Sequence, residues 1–179
     1  YFDRTPIASA SIGQVHQAVL RSTNERVVVK LLRPEIKEIM MQDLSILVEF
    51  ATLVSSKSQW AEKLGFRDLA IGFANSLQEE INFELEARNM IQVQTVMKKS
   101  LQHIKVPKVY REYSTNSVLV MEYIDGHSVA KASMVFEGLQ TERKTFAEMI
   151  LFSFLEQALV SGIFHADPHP GNIYIENKT

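Results

Sequence analysis

Polar and apolar positions along the chain fall into two periods. From Gln14 to Leu20 they alternate, with Val15 and Val19 set apart from polar neighbours, which predicts a strand. Asn24-Glu25 fits a hairpin turn, and Arg26 to Leu32, carrying Val27, Val28 and Val29, fits a second strand of β-branched residues. The period then changes to that of a helix. Pro34 is expected at its first position, and Ile36, Ile39, Met40, Leu44, Leu47 and Val48 form one stripe running to about Ser55. A break is expected over Ser56 to Gly65. One long helix is then predicted from about Arg67 to Lys98, with Phe73, Leu77 and Ile81 four residues apart. After Val106-Pro107, the segments Val109 to Tyr113 and Val118 to Tyr123 read as an antiparallel pair around Thr115-Asn116. Ile124-Asp125-Gly126 reads as a linker. A helix from about Thr141 to Ser161 follows, with Gly162 as its C′ glycine, and Ile173 and Ile175 alternate in a last strand. Strands cluster before the linker and helix dominates after it. The order predicts an α+β fold of two lobes, residues 1–123 and 124–179, with a cleft at Glu122 to Gly126, where cofactor sites tend to form.

Composition narrows the setting. The 179 residues are 46% hydrophobic, enough for a real core. The net charge of −2 offers no basic field, so nucleic acid is not an expected partner. There are no cysteines, which excludes disulfides and thiolate metal sites. No signal peptide is visible at Tyr1-Phe2-Asp3-Arg4. The longest apolar stretch, Phe146 to Phe164, carries Glu148, Glu156 and Gln157 and is expected to be a buried helix rather than a membrane span, so the chain should be soluble. The helix from Pro34 to Lys57 has two placements, against a core, which is favoured, or on a membrane surface. Trp60 and Phe66 are expected to pack near the break.

The candidate chemistry starts near the end of the chain, at Phe164-His165-Ala166-Asp167-Pro168-His169-Pro170-Gly171-Asn172-Ile173. Its H-x-D-x-x-x-x-N form is that of a phosphotransferase catalytic loop, with Asp167 as the base and Asn172 as a Mg2+ ligand. The prolines hold the loop by fixing φ. A Pro-rich turn between helix and strand is the plainer alternative. Lys30 ends an apolar strand, where it could neutralise phosphate oxygens or simply be solvated. Its partner would come from Glu80, Glu84 or Glu86. Glu86 is chosen because Asn82 lies one turn earlier on the same face and could share the site. Glu79, Glu84 and Glu112 are by default solvated. Ala8, Ser9, Ala10, Ser11, Ile12 and Gly13 lie where a phosphate-covering loop belongs, with small side chains that let backbone N–H groups approach. His16, His103 and His127 are scattered. His165 and His169 flank Asp167 and fit hydrogen-bonded orientation of the loop better than zinc.

Together these residues resemble the UbiB/AarF family of atypical, protein-kinase-like proteins, also called the ABC-one or aarF-domain kinases. Pro6-Ile7-Ala8-Ser9-Ala10-Ser11-Ile12-Gly13-Gln14-Val15-His16 looks like its Ala-rich nucleotide loop, and Val29-Lys30 like its nucleotide-binding lysine. Glu80-Ile81-Asn82-Phe83-Glu84-Leu85-Glu86-Ala87 looks like its E-x-D segment and the Glu that pairs with that lysine, and His165 to Asn172 like its catalytic loop. The match runs over nearly the whole chain. It departs at Asn82, where the segment usually has Asp. The family's K-x-G-Q helices are expected before Tyr1 and its D-F-G Asp after Thr179, so the chain is expected to be a fragment, cut within the C-terminal lobe and inactive by itself.

The resemblance implies a protein-kinase-like fold that binds ATP with Mg2+. Ala8 to Gly13 and Val15 would line the nucleotide, Lys30 would meet the α- and β-phosphates with Glu86 as its partner, and the Glu122, Tyr123 and Ile124 backbone would hold the adenine. It further implies ATPase activity or phosphotransfer to a small molecule or lipid, in support of isoprenoid quinone biosynthesis. A lipid or quinone precursor is the implied second partner. The implied location is the cytoplasmic side of the inner or plasma membrane of a bacterial-type cell, reached through parts outside this chain. Two other readings stand beside it: a nucleotide-sensing scaffold of low turnover that organises partner enzymes at a membrane, favoured by Asn82 and by the expected truncation, and a small-molecule kinase of the aminoglycoside or choline kind. Ser11-Ile12-Gly13-Gln14-Val15-His16 argues against the latter.

Overall fold

The computed structural model of the chain describes residues 1–100, 104–131, 143–162 and 169–176. The chain divides into two compact units: Tyr1–Arg88 with Tyr110–Met121, and Asn89–Val109 with Glu122–Thr179. The fold is α+β.

The first unit is built on a sheet ordered β1-β2-β3-β4, with β1 at Ala8–Ser9, β2 at Gly13–Val19, β3 at Arg26–Leu32 and β4 at Val118–Glu122. β1 and β2 are antiparallel, with Ala8 opposite Val15. β2 and β3 are antiparallel from Gly13 opposite Leu32 to Val19 opposite Arg26. Asn24 turns the hairpin at φ 59, a left-handed value that Asn tolerates better than most residues. The Leu20 N–H donates to the Glu25 carbonyl at 3.0 Å to close it. On one face of the sheet Ala18 and Val27 join Tyr110 and Val120 in the core. His16 is buried on the same face. Its Nδ1–H donates to the Asp3 carbonyl at 3.0 Å, and its ring stacks on Phe2 at 5.0 Å.

Helix α1 spans Ile36–Lys57, α2 Gln59–Lys63, α3 Phe66–Glu80 and α4 Phe83–Ser100. Three expectations need correction here. Pro34 does not open α1. The chain bends over Pro34-Glu35, Glu35 caps the helix at φ 64, and Ile36 is its first residue. The expected break at Ser56 to Gly65 contains the short helix α2, framed by Ser58 and by Gly65 at φ 66. Trp60 is 71% exposed rather than packed.

The predicted single helix from Arg67 to Lys98 is two helices. Ile81 leaves helical geometry at φ −90, ψ 12. The Asn82 Oδ1 then accepts the Leu85 N–H at 3.3 Å, and its carbonyl accepts the Glu86 N–H at 3.1 Å. That is an N-cap, a position where Asn outcompetes the helical backbone. The free N–H of Phe83 is taken up by the Asn116 carbonyl at 3.1 Å. Apolar periodicity runs unbroken through this point because Ile81 and Phe83 are both buried.

α1 packs against α3, burying Leu44 of the expected stripe together with Ala51, with Ala70 and Ala74 buried on α3. Ile39 of the expected stripe is instead exposed, as are Ile46, Phe50 and Leu53. By length and composition α1 is the one helix among the described residues able to cross a membrane.

The segment Val109 to Tyr113 is not a full strand. Arg111–Tyr113 forms a 3-10 turn, and only Lys108 to Tyr110 bond to β4, through Glu122 N–H to Lys108 O at 2.8 Å and Tyr110 N–H to Val120 O at 2.9 Å. The Ser114 Oγ accepts the Val120 N–H at 3.0 Å and so takes the ladder position the strand vacates.

In the second unit β5, Gly126–Ser128, pairs antiparallel with β6, Tyr174–Glu176. Gly126 therefore belongs to a strand and not to the linker. α5 spans Arg143–Glu156 and runs through a π-turn to Gly162, in left-handed geometry at φ 65. The expected start at Thr141 lies outside the described residues. This helix is not buried as expected. Leu151, Phe152, Leu159 and Val160 are exposed, because apolar residues encircle it while only the side carrying Ser153 and Gln157 is covered.

The cap sets a clear expectation. Asn82→Ala should cost about 1 kcal/mol of stability while Asn82→Asp, an equally good cap, should cost almost nothing. Urea denaturation of the whole protein would show it, and equal midpoints for the two variants would contradict it.

Candidate nucleotide site

β3 carries Lys30 out of the apolar Val27-Val28-Val29 run, opposite Val15 of β2. α4, phased by its cap at Asn82, turns Phe83, Glu86 and Ala87 to one side, as positions three and four apart must be. Phe83 and Ala87 are buried. Glu86 grips the Lys30 ammonium with both oxygens, Oε1 at 3.0 Å and Oε2 at 2.8 Å. The Phe83 ring lies beneath the same ammonium, 4.6 Å from its centroid, so the cation also meets the negative face of a fully buried ring. The two charged side chains are 28% and 34% exposed. Such a pair lies between the surface pair, worth little, and the fully desolvated one. The remaining exposure leaves the lysine approachable by an anion.

Of the other candidate partners, Glu84 pairs with Arg88 one turn on at 3.6 Å, both exposed, and Glu79, Glu80 and Glu112 are exposed. Asn82 does not share the Lys30 site through its side chain, which is spent on the cap.

The loop Ala8, Ser9, Ala10, Ser11, Ile12, Gly13 adjoins this pair through the β1–β2–β3 ladder. Every residue in it has negative φ, so alanine and serine serve where glycine would otherwise be needed. Gly13 is required for a different reason. A Cβ there would sit 2.6 Å from the Leu31 carbonyl oxygen of the neighbouring strand. Arg33, not anticipated from the sequence, pins the loop. Its Nε donates to the Ala10 carbonyl at 3.1 Å, its Nη2 to Ser9 Oγ at 3.0 Å, and its backbone N–H to Ile12 at 2.9 Å. Its place just past β3 is the only sequence signal that could have suggested this.

The remaining candidates belong to the second unit. Glu122 ends β4, and Tyr123 and Ile124 lie in the irregular segment between β4 and β5. The Glu122 carboxylate is committed within its own unit: Oε2 accepts the Lys108 N–H at 3.2 Å, and Oε1 meets the Lys105 ammonium at 2.6 Å. Lys105 also reaches Glu176 Oε1 at 3.2 Å. Lys105 was missed by sequence reasoning, since nothing in Ile104-Lys105-Val106-Pro107 marks it. Asn172 closes the 3-10 turn Pro170–Asn172, exposed, its N–H bonded to the His169 carbonyl at 2.8 Å. His169 Nδ1 accepts the Gly171 N–H at 3.0 Å, an orienting role of the kind expected for this histidine. Asp167 and His165, expected as base and neighbour, lie outside the described residues, as does His103.

The Lys105 pKa is raised above its ordinary 10.5, first by the hydrogen bond to Glu122 and further by Glu176, with burial working against both. A raised folded-state value means that the lysine's contribution is complete below 10.5 and is lost as pH climbs through the folded value. The gap in melting temperature between the wild type and Lys105→Met should therefore hold through neutral pH and close above pH 10.5. A gap that persists there would show that the ammonium charge contributes nothing.

The chain matches the model of the ABC1 atypical kinase-like domain over residues 1–179. It is 38% identical, over 98% of its length, to the protein ACTIVITY OF BC1 COMPLEX KINASE 8, chloroplastic, of Arabidopsis thaliana, covering 23% of that protein. It is 35% identical to the probable protein kinase UbiB of Vibrio campbellii, over 98% of this chain and 32% of the relative. The probable protein kinase UbiB of Shewanella loihica is also 35% identical, over 99% of this chain and 32% of the relative. The chain thus spans about a third or less of the length of these relatives. A domain match from end to end, on a chain whose strand lysine is gripped by a helix glutamate, places it plainly: it belongs to the ABC1 atypical kinase-like family.

Proposed function

We propose that this chain is the nucleotide-binding part of an ATP-dependent enzyme that hydrolyses ATP or passes its terminal phosphoryl group to a small molecule or lipid in isoprenoid quinone biosynthesis. The observation that carries the reading is the two-pronged Lys30–Glu86 ion pair beside a loop of small side chains. In kinase-type phosphoryl transfer the protein's work is to position phosphates and neutralise charge, and a strand lysine held by a helix glutamate is a required part. Glu86 removes the lysine's freedom before the nucleotide arrives, so little entropy remains to be lost on binding.

The residues fit the group they would hold. The Lys30 ammonium is only partly covered, and the side chains of Ala8, Ser9, Ala10 and Ser11 are small and exposed, so backbone N–H groups can approach phosphate oxygens. Ile12, Gly13 and Val15 line the same ladder. The backbone of Glu122, Tyr123 and Ile124 holds the adenine, a role that needs no side chain and agrees with the Glu122 carboxylate being committed elsewhere. Mg2+ takes few protein oxygens and relies on phosphates for the rest, and the exposed Asn172 carbonyl suits it. Bound there, the ion would supply neutralisation of phosphate charge. Asp167 accepts the proton of the attacking hydroxyl or water. The departure at Asn82 lends little to the scaffold reading, because capping needs a side-chain oxygen and not a charge. On this reading the whole protein works at a membrane, with a lipid or quinone precursor as acceptor, and the family resemblance is what supports it.

Lys30→Ala should weaken Mg-ATP binding to the whole protein at least tenfold, which calorimetry would read directly, since charge-assisted contacts to phosphate are worth roughly 1.5–3 kcal/mol. Equal affinity for the variant and the wild type would remove the basis of this reading.

A further inference from the structure

We propose that Lys105 is a positioning residue that sets the pitch of the Glu122–Gly126 segment by bridging Glu122 and Glu176, and so tunes which nucleobase that segment accepts. The inference rests on the reading of Glu122 to Ile124 as the adenine-holding backbone.

Four observations close a ring. The Lys105 ammonium lies 2.6 Å from Glu122 Oε1 and 3.2 Å from Glu176 Oε1. Glu122 is fixed again from Lys108, whose N–H it accepts at 3.2 Å and whose carbonyl takes its own N–H at 2.8 Å. Gly126 stands directly opposite Glu176 in the β5–β6 ladder. Gly126 cannot carry a side chain, because a Cβ would fall 2.2 Å from the Ile175 carbonyl oxygen, so the ladder closes as tightly as the backbone allows. From Glu122 the chain runs to Gly126, crosses the ladder to Glu176, and returns through Lys105. Tyr123, Ile124 and Asp125 are the span held between.

Removing the cation leaves the two carboxylates that shared it without their common partner, and like charges near one another repel. The ring would open at the Lys105 link. Hydrogen bonds from a backbone to a base edge weaken steeply with misalignment. A change of pitch at Tyr123 and Ile124 therefore costs base recognition, while phosphate contacts at Lys30 do not depend on it. The raised pKa of Lys105 agrees with a cation shared by two acids.

The test uses the whole protein with Lys105→Met, Lys105→Arg, Glu176→Gln and Lys30→Ala. Calorimetry gives Mg-ATP and Mg-GTP affinities, and hydrogen exchange follows the amides of residues 123–126. Lys105→Met should lower the ATP-over-GTP preference by about fivefold, the scale of a partly exposed ion-pair network, and speed exchange at 123–126. Lys105→Arg should keep both near wild type, and Glu176→Gln should move both part of the way. Lys30→Ala should weaken both nucleotides without changing their ratio. A lower melting temperature for Lys105→Met with an unchanged ratio and unchanged exchange would mean that the residue is only structural, and would overturn the proposal. If Lys105→Met fails to fold, Glu176→Gln, which cuts one arm, decides in the same way. Should Lys30→Ala leave nucleotide binding untouched, the nucleotide reading falls, and exchange at 123–126 alone decides for Lys105.

Discussion

A lysine ammonium held over the face of Phe83 and gripped by both oxygens of Glu86 is the constraint to which the first unit answers. It needs a strand to deliver the cation and a helix whose phase presents the anion. The β2–β3 register does the first. The Asn82 cap does the second, because starting α4 one residue earlier or later would turn Glu86 away by about 100°. Burial of Phe83 and Ala87 locks that phase, and the bond from Phe83 N–H to Asn116 ties the helix start to the loop before β4. Hydrophobic burial thus places a charge pair that could not pay for its own ordering at this exposure.

The same economy explains the loop before β2. A phosphate-covering loop is usually rich in glycine because its backbone visits left-handed conformations. Here Ala8 to Gly13 stays at negative φ throughout, and Arg33, just past β3, holds it. Alanine is compatible with that path and leaves less entropy to lose than glycine would. The one glycine is needed for the close approach to Leu31.

The second unit works by a different means. Its short β5–β6 ladder and the Lys105 bridge between Glu122 and Glu176 are polar and half exposed, so they add little to overall stability. What they supply is geometry for a five-residue stretch of backbone. Weak interactions suffice for that when they close a ring, because each removes a freedom that the others leave.

Much of this was legible in the sequence, and the parts that were not share a cause. Alternation and β-branching marked β2 and β3, a helical stripe marked α1, and Gly162 marked the end of the helical stretch that begins with α5. Lys30, Glu86 and the small-residue loop stood out because their residue types are unusual for where they sit. The break at Asn82 was hidden, because apolar periodicity passes through it undisturbed and a cap differs from a helical Asn only in dihedral angle and one hydrogen bond. Burial of the last long helix was misjudged, because composition states how apolar a segment is and not which side of it is covered. Arg33 carries no local signal beyond its place just past β3, and Lys105 carries none. Each acts on a partner tens of residues away, and only the folded chain brings the two together. The sequence determined most of the elements and the family through local pattern. Tertiary structure decided where the helices restart, which apolar faces are covered and which charges meet, since those depend on the positions of distant atoms.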